Sequence, residues 1–357
     1  MKILHSADWH LDSPIIGRTE EQTNLIKSAL LEVPHKVAAA ATVERCDLML
    51  LAGDVFDGNA TPESIKAVKD ALGEVRIPVF IVPGNHDYLC PSSPWVTEVW
   101  PENVHIFTSS AWDSVALPNL DCRVYGCAFT GPDAPALLEN FHADQEETYA
   151  LGLLHGDPTI ATSPYCPITT GQIRESGLHY LALGHIHKGG QIAAGNTLCA
   201  WPGCPMGRGF DELDSKGVLI VTLDERGCQT RFLPLDVPKF FDWELEAGED
   251  AAASLTRILP AMGSNDFYRV TFTGESIPLD TALLENQFPQ FPNLQLRDRT
   301  ELPLDLWANA GADSLEGVYF GLLQQQLEEA DGQDREAVLL AAKISRQILL
   351  GREVKLP

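Results

Sequence analysis

Asp8 with His10, Asp54, Asn85 with His86, His155, and the pair His185 and His187 stand at the ends of five short apolar runs. Carboxylate, amide and imidazole in this mixture suit a pair of divalent ions. Such a site needs one oxygen ligand that bridges both ions, with nitrogen and oxygen donors filling the remaining positions. Asp54 is the natural bridge. Asp8, His10 and one histidine of Gly184-His185-Ile186-His187 then serve one ion; Asn85, His155 and the other histidine serve the second. These donors favour manganese, iron or zinc over calcium or an all-oxygen magnesium cage. His86 and Asp57 stand beside the ligands. A histidine there can face a scissile phosphate and give a proton to its leaving oxygen, while a carboxylate holds the ring in orientation. The alternative for Asp57, a lesser one, is a helix N-cap or turn residue.

The elements that must position these groups are buried strands. Lys2-Ile3-Leu4 precedes Asp8, Leu48 to Leu51 precedes Asp54, Val79 to Val82 precedes Asn85, Leu151 to Leu154 precedes His155, and Tyr180 to Leu183 precedes His185. Runs of this kind are buried on both faces, and their C-terminal edge is where α/β folds place ligands. Gly53, Gly84, Gly156 and Gly184 flank the ligands, where the chain must leave a strand sharply and glycine permits backbone angles that other residues resist.

Residues 1 to about 237 alternate such strands with helices, as an α/β layer fold does. One helix is expected over Thr19 to Arg45, interrupted or re-entered at Pro34, and a second over Pro62 to Val75. A strand at Gly217 to Leu223 closes this section. After Pro238 the pattern becomes a small βαβαβ unit without a metal-type cluster: strand Asp242–Glu246, helix Ala251–Leu259, strand Tyr268–Thr273, helix Thr281–Gln287, strand Leu294–Arg297. Two amphipathic helices follow over Ser314 to Val354. Leu315, Val318, Tyr319, Leu322 and Leu323 form one stripe, and Val338, Ala341, Ile344 and Ile348 the other. Stripes of this kind normally pack on their own protein, although a terminal helical hairpin also suits docking to another subunit. The expected division is 1–237 catalytic, 238–305 capping and 306–357 a helical partner-docking segment.

Composition narrows the function. No apolar run approaches the roughly 18 residues that span a bilayer, and the start is too poor in apolar residues for a signal peptide, so a cytoplasmic protein is expected. Eight cysteines without Cys-x-x-Cys spacing read as buried free thiols. The formal net charge of −25 opposes broad polyanion binding, so any nucleic-acid contact must be local, helped by metal cations or delegated to a partner. Arg18, Lys188 and Arg208 are the cationic candidates for substrate binding near the ligand blocks.

Asp8-x-His10, Gly53-Asp54-x-x-Asp57, Gly84-Asn85-His86-Asp87, His155-Gly156 and Gly184-His185-x-His187 together resemble the motif set of the calcineurin-like metallophosphoesterase superfamily. The resemblance implies a four-layer α/β/β/α sandwich, a dinuclear centre ligated as above, and a metal-activated hydroxide that attacks phosphorus in line. It also implies His86 as proton donor partnered by Asp57. Ser6 to Pro14 and Trp201-Pro202-Gly203-Cys204-Pro205-Met206-Gly207-Arg208-Gly209-Phe210-Asp211-Glu212 resemble the DNA repair exonuclease branch, of the SbcD and YhaO type.

That branch implies a manganese-dependent exonuclease, with single-strand endonuclease activity as a further mode, working on DNA beside an SMC-like ATPase, with a homodimer as a further assembly and no membrane. Two alternatives stand beside it. The acidic composition suits a phosphoesterase acting on a small nucleotide or other phosphate metabolite. A non-catalytic scaffold of the same fold is the other, disfavoured because all seven ligand positions are filled.

Overall fold

A computed structural model of the 357-residue chain describes residues 1–144, 146–248, 250–351 and 354. It divides into two compact units, Met1–Phe241 and Asp242–Pro357. The end of the expected 306–357 segment (352, 353 and 355–357) lies outside the described residues.

The first unit runs β1 (Lys2–Ser6), α1 (Glu20–Glu44), β2 (Leu48–Leu51), α2 (Pro62–Glu74), β3 (Val79–Ile81), α3 (Pro94–Thr97), β4 (Val104–Ile106), β5 (Asp113–Leu117), β6 (Cys122–Gly126), β7 (Tyr149–His155), α4 (Thr170–Glu175), β8 (Tyr180–Gly184), β9 (Lys188–Ala194), β10 (Thr197–Gly203), β11 (Gly217–Asp224) and β12 (Gly227–Pro234). They form two six-stranded sheets, ordered β12-β11-β1-β2-β3-β4 and β5-β6-β7-β8-β10-β9. The inner strands of each are parallel, with Ile3 opposite Leu48 and His155 opposite Gly184, so every ligand block leaves the same edge. Three strands outside the parallel core run against it: β11 in the first sheet, β5 and β9 in the second. The β11–β12 hairpin and β9 pair antiparallel to their neighbours, so β11 does not close the section: β12 extends its sheet by a further strand.

One apolar layer fills the space between the sheets, drawing Ile3, Leu48, Leu50 and Phe80 from the first and Val124, Leu151, Leu153 and Tyr180 from the second. The alternate residues Leu4, Met49, Leu51 and Ile81 are equally buried, as strands covered on both faces require. The long helix α1 packs against β1 and α2, while the short α4 and the loops around Leu138 and Cys166 cover the second sheet. The order is therefore α/β/β/α, with a thin fourth layer.

Helix α1 is continuous through Pro34, which corrects the expected break. The proline is buried with Leu30, Val33 and Val37, and tertiary packing outweighs the lost backbone hydrogen bond. Thr19 caps the helix in a capping box with Gln22, and Arg45 ends it in a left-handed conformation. All eight cysteines are free thiols, six of them buried.

The chain continues through β13 (Phe240–Glu246), whose residues from Asp242 onward belong to the second unit, and then α5 (Ala251–Ile258), β14 (Phe267–Thr273), α6 (Thr281–Glu285), β15 (Leu294–Asp298), α7 (Leu315–Glu329) and α8 (Gly332–Leu349). Its three-stranded sheet, ordered β13-β14-β15, is the expected βαβαβ unit. The helical pair packs differently from expectation. Phe320, Leu323 and Ala342 form the seam with Trp307, Ala310 and Val338, and the Arg346 guanidinium lies 3.8 Å from the Phe320 ring centre. Leu315, Val318, Tyr319 and Leu322 are exposed, Leu315 by 91%. The segment around Trp307 covers the neighbouring face of α7, so of the stripe read from periodicity only Leu323 is buried, with Val338 of the second stripe packed against the same seam. No helix among the described residues is long and apolar enough to cross a membrane.

Candidate metal centre

The loops after β1 and β2 run side by side beyond the sheet: Asp8 N donates to Gly53 O (3.0 Å) and His10 N to Asp54 O (2.9 Å). Asp8, His10, Asp54 and His185 all have positive φ, at 56°, 47°, 51° and 100°. These are conformations that side chains other than glycine rarely adopt, and they cluster where surrounding structure over-determines them. Of the four flanking glycines only Gly53 has positive φ, at 87°. Gly84 and Gly184 serve close approach instead, which corrects the expectation of unusual angles there. A Cβ on Gly84 would overlap Asp54 Oδ1, and one on Gly184 would overlap Ala52 O.

Asp8 and Asp54 are each held by one oxygen and aim the other inward. His185 N donates to Asp8 Oδ1 (2.9 Å), and Asp8 Oδ2 is buried without a hydrogen-bond partner. His86 N donates to Asp54 Oδ1 (2.9 Å). Asp54 Oδ2 then lies 3.3 Å from His155 Nε2 and 3.7 Å from His10 Nε2. The donors gather as three overlapping groups: Asp8, His10 and His187; His10, Asp54 and His86; Asp8, Asp54 and His155. Asn85 Oδ1 meets His155 Nε2 at 2.9 Å and His185 Nδ1 at 3.2 Å. Geometry thus separates the two histidines of the last block: His187 falls with Asp8 and His10, His185 with Asn85 and His155.

The donor set fits divalent ions. His155 Nδ1 lies 2.8 Å from the Ala52 carbonyl, which can only accept, so that nitrogen carries the proton. In the neutral ring Nε2 then points a lone pair at Asn85 Oδ1 and Asp54 Oδ2, and acceptors that converge in this way call for a cation between them. From protein groups alone the His155 pKa is pushed up to about 9: burial, the largest single effect, lowers it, but Asp54 and Asp8 overcome it. The same anionic pull that draws a proton draws a metal. His10 Nε2 and His187 Nε2 are 3.0 Å apart, close enough for both to reach one ion.

Burial sets the other charges. It raises Asp8 to about 6, with His155 and His187 opposing. For Asp54 burial works upward, yet His155 and His10 carry it well below the usual carboxylate range. Burial lowers His10 to about 3 and His185 to about 4, so both rings offer lone pairs.

His86 is the outward-facing group, with 45% of its side chain exposed against 1% for His10. Its Nδ1 lies 2.7 Å from Asp57 Oδ1. That hydrogen bond, the largest effect, raises the His86 pKa against partial burial. Of the cationic candidates, Arg208 reaches the site, with Nη1 3.9 Å from Asp57 Oδ2. Lys188 follows His187 on the wall of a cavity of about 750 Å³. Arg18 stacks on Phe210 (4.8 Å) and Phe240 (5.7 Å).

Two carboxylates carry work that sequence reading left without a role. Asp87 is buried and accepts from Gly84 N (2.7 Å), Val55 N (2.9 Å), Asp54 N (3.2 Å) and Phe56 N (3.3 Å), tying the second ligand loop to the third. Glu212 Oε1 lies 2.7 Å from His187 Nδ1. Asp87 adjoins the Gly84-Asn85-His86 block, a signal that was present. Nothing in the spacing connects Glu212 to His187.

Two mixed sheets with ligands at one shared edge and paired acidic and imidazole donors define a metallophosphoesterase. The family model for calcineurin-like phosphoesterases matches residues 1–189, and the chain belongs to that family. Among curated relatives it is similar to the uncharacterized metallophosphoesterase YhaO of Bacillus subtilis, at 34% identity over 62% of this chain and 57% of the relative. The SbcD subunit of the nuclease SbcCD from Staphylococcus epidermidis is 24% identical over 82% of this chain and 84% of its own length. Its Bacillus subtilis counterpart is 26% identical over 62% and 66%. The aligned stretch is thus under two thirds of both Bacillus proteins.

Proposed function

We propose that this chain is a metal-dependent phosphodiesterase that hydrolyses DNA phosphodiester bonds as an exonuclease, with single-strand endonuclease activity as a further mode. In this reading it acts in repair or end processing in the cytoplasm. The observation that carries the chemistry is the His86–Asp57 pair, held at 2.7 Å beside the buried donor cluster with His86 open to solvent. Asp8, His10 and His187 would hold one ion, Asn85, His155 and His185 the other, with Asp54 between them. Manganese is the proposed metal, with iron or zinc as alternatives. When bound, two such ions supply Lewis acidity and a nucleophile drawn from water at neutral pH.

The protein's own groups then do three things. Backbone N–H groups of His86 and His185 fix the carboxylates before any ligand arrives. Asp57 keeps the His86 proton on Nδ1 and raises the ring's affinity for a second proton, so Nε2 can give that proton to the leaving oxygen. Arg208 places positive charge beside Asp57, where a substrate phosphate would approach.

DNA as substrate is supported by the relatives named as nuclease subunits, one aligned along 82% of this chain. That name also supports a partner, and we propose an SMC-like ATPase docked on the 306–357 segment, with 1–237 as the catalytic part, 238–305 as a cap and a homodimer as a further assembly. The net charge of −25 favours a second reading, a phosphoesterase for a small nucleotide. The deciding experiment incubates the manganese-loaded chain, with and without an SMC-like ATPase, with labelled single- and double-stranded DNA and a panel of nucleotides. DNA shortening that is lost in His86→Ala supports the nuclease. Intact DNA alongside rapid nucleotide turnover selects the second reading.

A further inference from the structure

Glu212 touches a histidine of the donor cluster and an arginine beside the Asp57–His86 pair at once. Its Oε1 accepts from His187 Nδ1 at 2.7 Å, which leaves His187 Nε2 as the lone pair facing His10 Nε2. The same carboxylate binds Arg208 three times: Oε2 accepts from the backbone N (2.8 Å) and Nε (3.2 Å), and Oε1 from Nη2 (2.6 Å). The remaining terminal nitrogen of that guanidinium, Nη1, lies 3.9 Å from Asp57 Oδ2, and Asp57 holds His86 through its other oxygen. A continuous path therefore runs His187–Glu212–Arg208–Asp57–His86. Glu212 is 5% exposed, and a carboxylate that deeply buried is tolerated only because both oxygens are bonded.

We propose that Glu212 is a positioning residue with two separable jobs: it orients His187 toward the metal and it presents Arg208 to the Asp57–His86 pair. The proposal rests on the metallophosphoesterase reading and names a residue that reading does not use. The two jobs make different demands on residue 212. Orienting His187 needs only an acceptor, since Nδ1–H donates. Presenting Arg208 needs a negative charge in a fork that meets the guanidinium with both oxygens. Glutamine satisfies the first demand and fails the second, because its NH2 group faces the arginine's own donors.

This separation is testable in the full-length chain by isothermal titration with manganese, alongside kcat on bis-p-nitrophenyl phosphate and a melting curve for each variant. Glu212→Ala is expected to weaken manganese binding about 10- to 100-fold, the range that loss of a partner to a ligating histidine brings. Glu212→Gln should bind manganese within about threefold of the wild type while its kcat falls as far as that of Arg208→Ala, each about tenfold or more. The double variant Glu212→Gln/Arg208→Ala should be no slower than either alone, since both remove one shared contact. Should Glu212→Ala fail to fold, the glutamine variant carries the test unaided. Equal manganese affinity in wild type and Glu212→Ala overturns the proposal, as does a Glu212→Gln that loses metal and turnover together. A wild-type chain that binds no manganese overturns the centre itself, and the proposal with it.

Discussion

Asp57 Oδ1 sits 2.7 Å from His86 Nδ1, and its other oxygen lies 3.9 Å from both His10 Nδ1 and Arg208 Nη1. One half-buried carboxylate thus orients the exposed histidine while standing against a buried ligand histidine. Asp57→Asn should therefore lower kcat by about 10²- to 10⁴-fold, as His86→Ala should, with manganese affinity nearly unchanged. Steady-state kinetics paired with calorimetry checks this; a variant that turns over normally removes Asp57 from the proton path.

Asp54 lies between the two sets of donors, so its neutral isostere should empty both. Manganese at about 100 times its Kd stabilises a one-site protein by about 2.7 kcal/mol, and two sites by more. Wild-type protein should therefore melt several degrees higher with manganese than after chelation, and Asp54→Asn should show no such difference. An Asp54→Asn protein stabilised as strongly as the wild type would remove Asp54 from the bridging position.

His5 reports on pH. Its Nε2 donates to the Leu183 carbonyl at 3.0 Å and its Nδ1 faces the Tyr180 hydroxyl at 2.7 Å, so a neutral ring can accept from the tyrosine with both nitrogens bonded. Burial lowers its pKa from 6.5 to about 3, against a smaller opposing pull from Leu183. The unfolded chain therefore binds the additional proton between those values. The stability tied to this histidine is fully present above about 6.5 and drains away as the pH falls toward 3, at up to about 1.4 kcal/mol per unit. Between pH 7 and pH 5, His5→Gln should lose about 2 kcal/mol less than the wild type in denaturant titrations. Parallel pH dependences for the two proteins would contradict the assignment.

Gly184 leaves no room for a side chain. A Cβ there would overlap Ala52 O, the same carbonyl that receives His155 Nδ1. Gly184→Ala should cost about 1–3 kcal/mol, the usual range for forced overpacking, and weaken manganese binding by turning His155. Denaturation midpoints and metal titration measure the two effects separately. A variant as stable as wild type would show that β8 shifts freely.

The exposed stripe of α7 tests the partner proposal. Replacing Leu315, Val318 and Leu322 by serine should change stability by no more than about 0.5 kcal/mol each, since these side chains are mostly in solvent. The same triple variant should no longer co-purify with an SMC-like ATPase. Unimpaired association would place the contact elsewhere.

Much of the first unit was legible because its strands are apolar along their whole length and its chemical residues follow them directly. Periodicity located β1, β2, β3, β7 and β8, the helices α1 and α2, and the βαβαβ unit within a few residues. It misjudged Pro34, whose cost depends on what packs around it, and the α7 stripe, whose burial depends on a segment around Trp307 that no local pattern connects to Phe320.

By itself the sequence determined which donors are available and that they leave strands on one side, since ligand type and strand order are local properties of the chain. Only the tertiary structure decided which donors meet. Parallel pairing brought Asp8 beside Gly53 and His155 beside Gly184, separating His187 from His185. It also carried Glu212, 25 residues from His187 in the chain, to within 2.7 Å of that ring. Contacts of this kind depend on how sheets and loops close in space, and residue spacing along the chain holds no record of that closure.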